Sequence, residues 1–244
     1  MSGHSKWNNI KNKKEKTDAQ KAKVFTKIGK EIAMCVREGG GDPNTNGKLR
    51  DLIAKAKSNN VPNDNIERAI KKAMGADSVQ YEEIIYEGYG PSGVAVIVEA
   101  ATDSRNRTAS DVRHYFDKYG GNLGSTGCVS YMFDDKGVII LLKENNEKVN
   151  EDELMEAALE AGAEDFASDE ETYEITTEPS DVYAIRDALE AKGYVVESAE
   201  EDKIPQTYVT LEDPDDIKNM NLLIEHLEDN DDIQEIYHNW ENCD

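Results

Sequence analysis

Apolar residues recur three and four apart in the first third of the chain. Turned at 100° per residue, Val24, Phe25, Ile28, Ile32, Cys35 and Val36 fall within an arc of about 120°, which predicts one packed helical face. Thr17-Asp-Ala-Gln20 reads as a capping box and Gly39-Gly-Gly41 as a stop, so a helix is expected over 17–38. Leu49, Leu52, Ile53 and Ala56 predict a second helix over 49–59. Asn63 reads as the N-cap of a third, with Ile66, Ala69, Ile70 and Ala73 on one stripe and Gly75 at its end. The link Ser58-Asn-Asn-Val-Pro62 is longer and more proline-bound than a tight recognition turn, which argues against a helix-turn-helix.

After residue 76 the texture changes to β-rich runs. Strands are expected over 83–87, 94–100, 129–133 and 138–142, the last a continuous apolar run as in a buried strand. A helix over 104–119 is entered through Thr102-Asp103-Ser104. Further on, the pattern predicts helix 152–161, strand 172–177, helix 181–192, strand 195–198, strand 206–211, helix 215–228 and strand 233–238. Strand and helix alternate in the middle as in a split βαβ arrangement, and the flanking segments alternate too. The expected fold is α+β and multi-domain. It comprises an N-terminal three-helix domain (1–78), a split α/β domain (79–134 with 204–244) and an inserted ferredoxin-like βαββαβ domain (135–203).

Charge divides the chain differently from hydrophobicity. Residues 1–75 hold 17 Lys+Arg against 8 Asp+Glu, and the remainder holds 11 against 43, within a net charge of −23. A basic head on a strongly acidic body suggests a polyanion-binding module on a carrier that repels phosphate. Lys6, Lys11, Lys13, Lys14 and Lys16 precede the first helix with only Trp7 and Ile10 apolar, a composition expected to order on a partner. On the helix itself, Lys16, Lys23, Lys27 and Lys30 fall within an arc of about 60°, and Lys21 lies on the same helix. The opening His4-Ser5-Lys6-Trp7 adds two rings that can stack on unpaired bases, although Trp7 could equally anchor the arm on its own bundle. Arg105 and Arg107 stand at a helix N-terminus, where free N–H groups also attract phosphate. Ion pairing with Asp103 and Asp111 is the alternative for these two arginines.

Other chemistry finds no support. Gly88-Tyr-Gly-Pro-Ser-Gly93 fits the dinucleotide fingerprint in spelling, but a strand rather than a helix is expected after it, so it reads as a β-turn. There is no Walker loop, and His4, His114, His226 and His238 lack metal spacing. Cys35, Cys128 and Cys243 form no C-x-x-C pair. No catalytic constellation emerges, so the chain is expected not to be an enzyme, to use no cofactor or metal and to take no small-molecule substrate. With no run of ~20 apolar residues and no secretory h-region, no membrane association is expected, and the cytoplasm is the expected location.

Several segments carry a resemblance to one family. Gly3-His-Ser-Lys-Trp-Asn-Asn-Ile-Lys11, Phe25-Thr-Lys27, Gly39-Gly-Gly-Asp-Pro43, Val61-Pro-Asn-Asp-Asn-Ile-Glu-Arg-Ala-Ile-Lys71, Tyr86-Glu-Gly-Tyr-Gly-Pro-Ser-Gly-Val94 and Thr102-Asp-Ser-Arg-Asn-Arg-Thr108 are similar to the YebC/PmpR family. Ser104 and Cys128 depart from it, standing where Asn and Ser are commoner. The resemblance implies a three-domain α/β protein with a helical N-terminal domain. It implies a role in gene expression: members are described as transcriptional regulators, a mitochondrial relative as a translational activator, and bacterial members are tied to the ribosome. Of the two ligands this leaves, ribosomal RNA is preferred over DNA, because lysines position a phosphate backbone without reading bases. Ribosomal proteins are further candidate partners.

Overall fold

A computed structural model describes residues 18–75 and 78–242. In chain order the elements are α1 (Asp18–Gly39), α2 (Gly47–Ser58), α3 (Asn63–Ala73), β1 (Glu82–Tyr89), β2 (Ala95–Thr102), α4 (Arg105–Lys118), β3 (Asn122–Leu123), β4 (Phe133–Leu142), α5 (Glu151–Ala161), β5 (Asp165–Ser168), β6 (Thr172–Thr177), α6 (Val182–Ala191), β7 (Ser198–Pro205), α7 (Pro214–Asp229) and β8 (Ile233–His238). They form two compact units, one within 18–132 and 207–242, the other 133–206. The architecture is α+β, with a three-helix bundle, a split α/β sheet domain and an inserted ferredoxin-like domain.

In the bundle, Ile28, Ile32, Cys35, Val36, Leu49, Ala56, Val61 and Ile66 form one buried cluster. The 3.6-residue period of α1 supplies half of it. One side chain joins two helix ends. Buried Asn46 caps α2 by accepting the Leu49 N–H at 3.1 Å, while its amide donates to Cys35 O (3.1 Å) and Gly40 O (2.9 Å) at the end of α1. Terminal carbonyls of one helix and a terminal N–H of the next are thus satisfied together.

The split domain is an antiparallel sheet in the order β3-β1-β2-β8. Val112 and Phe116 of α4 and Met220, Leu223 and Leu227 of α7 are buried. Gly88 lies where a Cβ would come within 2.9 Å of the Phe116 ring, so only glycine allows that approach. The segment that spells a nucleotide fingerprint is a turn. Pro91–Gly93 forms one 3₁₀ turn, with Ser92 at φ 50° and Gly93 at φ 82°, and it leads into β2, not a helix. The Gly90, Gly93 and Val94 N–H groups are spent on bonds within the turn and no helix N-terminus opens there, so the phosphate cradle is absent.

The inserted domain runs β4-α5-β5-β6-α6-β7, with sheet order β5-β6-β4-β7 and every pairing antiparallel. Both βα crossovers skip a strand, which is the ferredoxin-like arrangement. Ile139, Leu141, Ile175, Leu154, Ile185 and Leu189 lie in its main core, while Val138, Ile140 and Leu142 form a second buried cluster with Ile204 beside it. The apolar run of β4 therefore buries both of its faces.

Some boundaries differ from expectation. Residues 130–132 form a 3₁₀ turn, and β4 is one strand from Phe133, running straight through Asp134-Asp135-Lys136. β7 covers 198–205 instead of 195–198. The strand expected over 206–211 is reduced to one parallel bridge, Val209 to Trp240. Thr17, the expected cap of α1, lies outside the described residues.

Asn46→Ala removes a helix cap and unpairs two carbonyls, so it should destabilise the chain by about 2–3 kcal/mol in urea denaturation. Asn46→Asp keeps the cap but turns a carboxylate oxygen toward the Cys35 and Gly40 carbonyls, so it should destabilise the chain at least as much at neutral pH.

Candidate nucleic-acid interface

Lys23, Lys27 and Lys30 of the lysine row on α1 face the protein. Lys23 Nζ pairs with Asp229 Oδ1 at 2.6 Å. Lys27 Nζ donates to the Glu228 carbonyl at 3.2 Å. Lys30 is 9% exposed and donates to Asp232 Oδ1 (2.6 Å), Asp231 O (2.9 Å) and Ala101 O (3.2 Å). It also lies 5.3 Å from the centre of the Tyr81 ring. The expected solvent-facing row thus gives way to an interface between the helical bundle and the end of α7. The physical reason is the segment Glu228-Asp-Asn-Asp-Asp232, four carboxylates in five residues.

Asp232 is the centre of this contact. Its Oδ2 accepts from Arg107 Nη2 at 2.6 Å, Arg107 Nε at 3.2 Å and the Thr108 hydroxyl at 2.9 Å, while Oδ1 takes Lys30. Thr102 Oγ1 accepts the Ser104 N–H at 2.9 Å and fixes the entry to α4. Burial alone would raise the Asp232 pKa. The donors from Lys30, Arg107 and Thr108 outweigh it and hold the carboxyl at about 2. The anion at the start of α4 is therefore the protein's own aspartate. Arg107 also pairs with Asp103 at 2.8 Å.

Arg105 points elsewhere, to Glu82 at 3.2 Å, with 63% of its side chain exposed. The structure thus gathers Lys23, Lys27, Lys30 and Arg107 around one acidic segment and leaves Arg105 apart. Of Lys21 only its place on α1 is described. His4, Ser5, Lys6, Trp7, Lys11, Lys13, Lys14 and Lys16 lie outside the described residues.

Arg37, Lys57, Arg68, Lys71 and Lys72 are exposed and make no ion pair with a described residue. The residues missed from sequence are the acidic ones: Glu228, Asp229, Asp231 and Asp232. A signal for them existed. Carboxylates at a helix C-terminus oppose the helix dipole, by roughly 0.3–1 kcal/mol each, and so call for cations from another element. Among the described residues no group of three or more His, Cys, Asp or Glu is arranged to hold a metal, and no helix is long and apolar enough to cross a membrane.

Comparison with known proteins gives the relationship. Residues 5–76 match the family model described as the TACO1/YebC protein N-terminal domain, and residues 81–240 match the TACO1/YebC second and third domain. The chain belongs to the YebC/PmpR family. Within the family it is 62% identical over 241 residues to a protein of Acetivibrio thermocellus, covering 98% of this chain and 99% of that one. A protein of Ruminiclostridium cellulolyticum is 61% identical over 242 residues, covering 99% and 97%. Each bears the name "Probable transcriptional regulatory protein". The crystal structure of a conserved hypothetical protein from Aquifex aeolicus matches with a TM-score of 0.81 and 45% identity, covering 93% of this chain and 92% of that one.

The sign of the acid response follows from Asp232. Its folded pKa of about 2 lies below the ordinary value of 3.8, so the unfolded chain takes up the proton first as pH falls. The stabilisation is complete above the ordinary value and is lost as pH drops toward 2, amounting to about 2 kcal/mol. Urea midpoints between pH 5 and 2 should show this loss, and Asp232→Asn should flatten it. At pH 7, Asp232→Ala strands the Lys30 ammonium in a buried site and should cost about 3–5 kcal/mol.

Proposed function

We propose that the chain is a non-enzymatic nucleic-acid-binding regulator of gene expression, working in the cytoplasm without metal or cofactor. The observation that carries this reading is the division of charge, 17 basic against 8 acidic residues up to position 75 and 11 against 43 beyond it. The lysine-rich arm is the part best suited to phosphate. Its five lysines precede α1, where Lys23, Lys27 and Lys30 are already engaged. The acidic body repels a phosphate backbone over about a Debye length, ~8 Å at physiological salt, and so favours approach from the basic side.

The names of the relatives favour transcription, with DNA as the ligand. A second reading, binding of ribosomal RNA in translation, is favoured by a separate observation. The five arm lysines can contact phosphate but do not read base edges, whereas sequence-specific duplex recognition needs a helix that does. Irregular RNA with converging phosphates suits a lysine arm without such a helix. On either reading the action is non-covalent.

Crosslinking in cells followed by sequencing of the bound nucleic acid separates the two, promoter DNA supporting the first and ribosomal RNA the second. In vitro, replacing Lys11, Lys13, Lys14 and Lys16 with Ala should weaken binding and flatten its salt dependence. Each lost phosphate contact removes about 0.7–0.9 from the log–log slope. An unchanged slope would falsify the arm as the point of contact.

A further inference from the structure

The interface between α1 and the end of α7 is graded along its length. At one end, Lys23 and Asp229 remain 36% and 63% exposed in their side chains, and the Lys27 contact to Glu228 O is also exposed. One to two turns further along α1, the Lys30–Asp232 pair is 11% and 8% exposed and is shared with Arg107 and Thr108. The outer contacts are thus exposed ones that water and salt can break. The inner one is a buried network whose disruption is far more costly.

Apart from Asp232, which Arg107 and Thr108 hold, the acidic segment has no comparable role inside its own domain. Asp229 makes its ion pair with Lys23, and the Asp231 side chain is exposed and pairs with no described residue. Both stand at or just beyond a helix C-terminus, where negative charge is disfavoured. What the carboxylates match is the row on α1. Lys23, Lys27 and Lys30 step along the helix by about 6 and about 4.5 Å, and a run of oxygens lies along them, the carboxylates of Asp229 and Asp232 with the Glu228 carbonyl between. That is also the chemistry of a phosphate backbone.

From this geometry we infer that Glu228–Asp232 is a built-in polyanion mimic that holds Lys23 and Lys27 closed, and that nucleic acid binds this face by displacing it. The Lys30–Asp232–Arg107 network stays formed and acts as the fixed end. The device raises the threshold for non-specific phosphate, because a ligand must outcompete carboxylates that are always present. It rests on the nucleic-acid reading above and adds regulation to it.

The test uses the full chain and two fluorescein-labelled probes, a 30-nucleotide mixed-sequence RNA and a DNA duplex of the same sequence, with anisotropy titrations over a range of KCl. Asp229→Asn with Asp231→Asn should bind about two- to fivefold tighter at low salt, the scale on which exposed ion pairs compete. In a second variant, Lys23→Cys and Asp229→Cys are joined by a short bismaleimide in a Cys128→Ser/Cys243→Ser background, buried Cys35 being left in place. The joined form should bind about tenfold more weakly than the same variant left unjoined. If joining leaves affinity unchanged, or the double Asn variant gains nothing while the wild-type chain binds, the latch is overturned and the nucleic-acid reading stands. If no form binds either probe, both fall.

Discussion

One carboxylate ties together segments from opposite ends of the chain. Asp232, just beyond α7, accepts from Lys30 on α1 and from Arg107 and Thr108 on α4. Asp232, Lys30 and Thr108 would each be costly to bury alone, while half-exposed Arg107 closes the network from the solvent side. Lys30 in particular would be an unpaired ammonium at 9% exposure. Together they place two cations and a hydroxyl around one anion, and that closure fixes the helical bundle against the sheet domain. Packing alone gives the bundle a core, but this network gives it a position.

The same network accounts for the unusual charge pattern. A basic module and an acidic body in one chain attract each other, and here part of that attraction is satisfied internally. Of the lysines that read as a ligand surface, Lys23 and Lys30 are paired with carboxylates of the acidic body and Lys27 with a backbone carbonyl. The basic character that remains lies in the arm and in scattered exposed cations such as Arg37, Arg68, Lys71 and Lys72. Under the proposed function, such a chain carries both the binding surface and its competitor, so its affinity for phosphate is set by a difference rather than a sum.

Much of the fold was legible because the determining contacts are local. The 3- and 4-residue spacing and the triple glycine give α1 its core face and its end at Gly39. The alternation of strands and helices gives the ferredoxin-like insert. What was not legible depended on partners distant in sequence. Asp134-Asp135-Lys136 reads as a break between strands, yet it continues β4 because the ladder with β7 runs through it, with Asp135 opposite Lys203 and paired with it at 2.6 Å. Ser198–Pro205 is too acidic to read as a strand and becomes one by pairing with β4. The lysine arc was legible as an arc. The direction it faces was not, since Lys23 and Asp229 stand 206 residues apart.

The pairing of β4 with β7 has an architectural outcome. Phe133, the first residue of β4, lies opposite Pro205, the last of β7. Strands are about 4.8 Å apart, so the chain leaves and re-enters the host domain at nearly the same point. Entropically, the host then closes a short gap instead of a long excursion, because the lobe's own sheet clamps its two ends. A lobe attached in this way can lengthen, shrink or change its surface over evolutionary time while leaving the register of the sheet that carries it undisturbed.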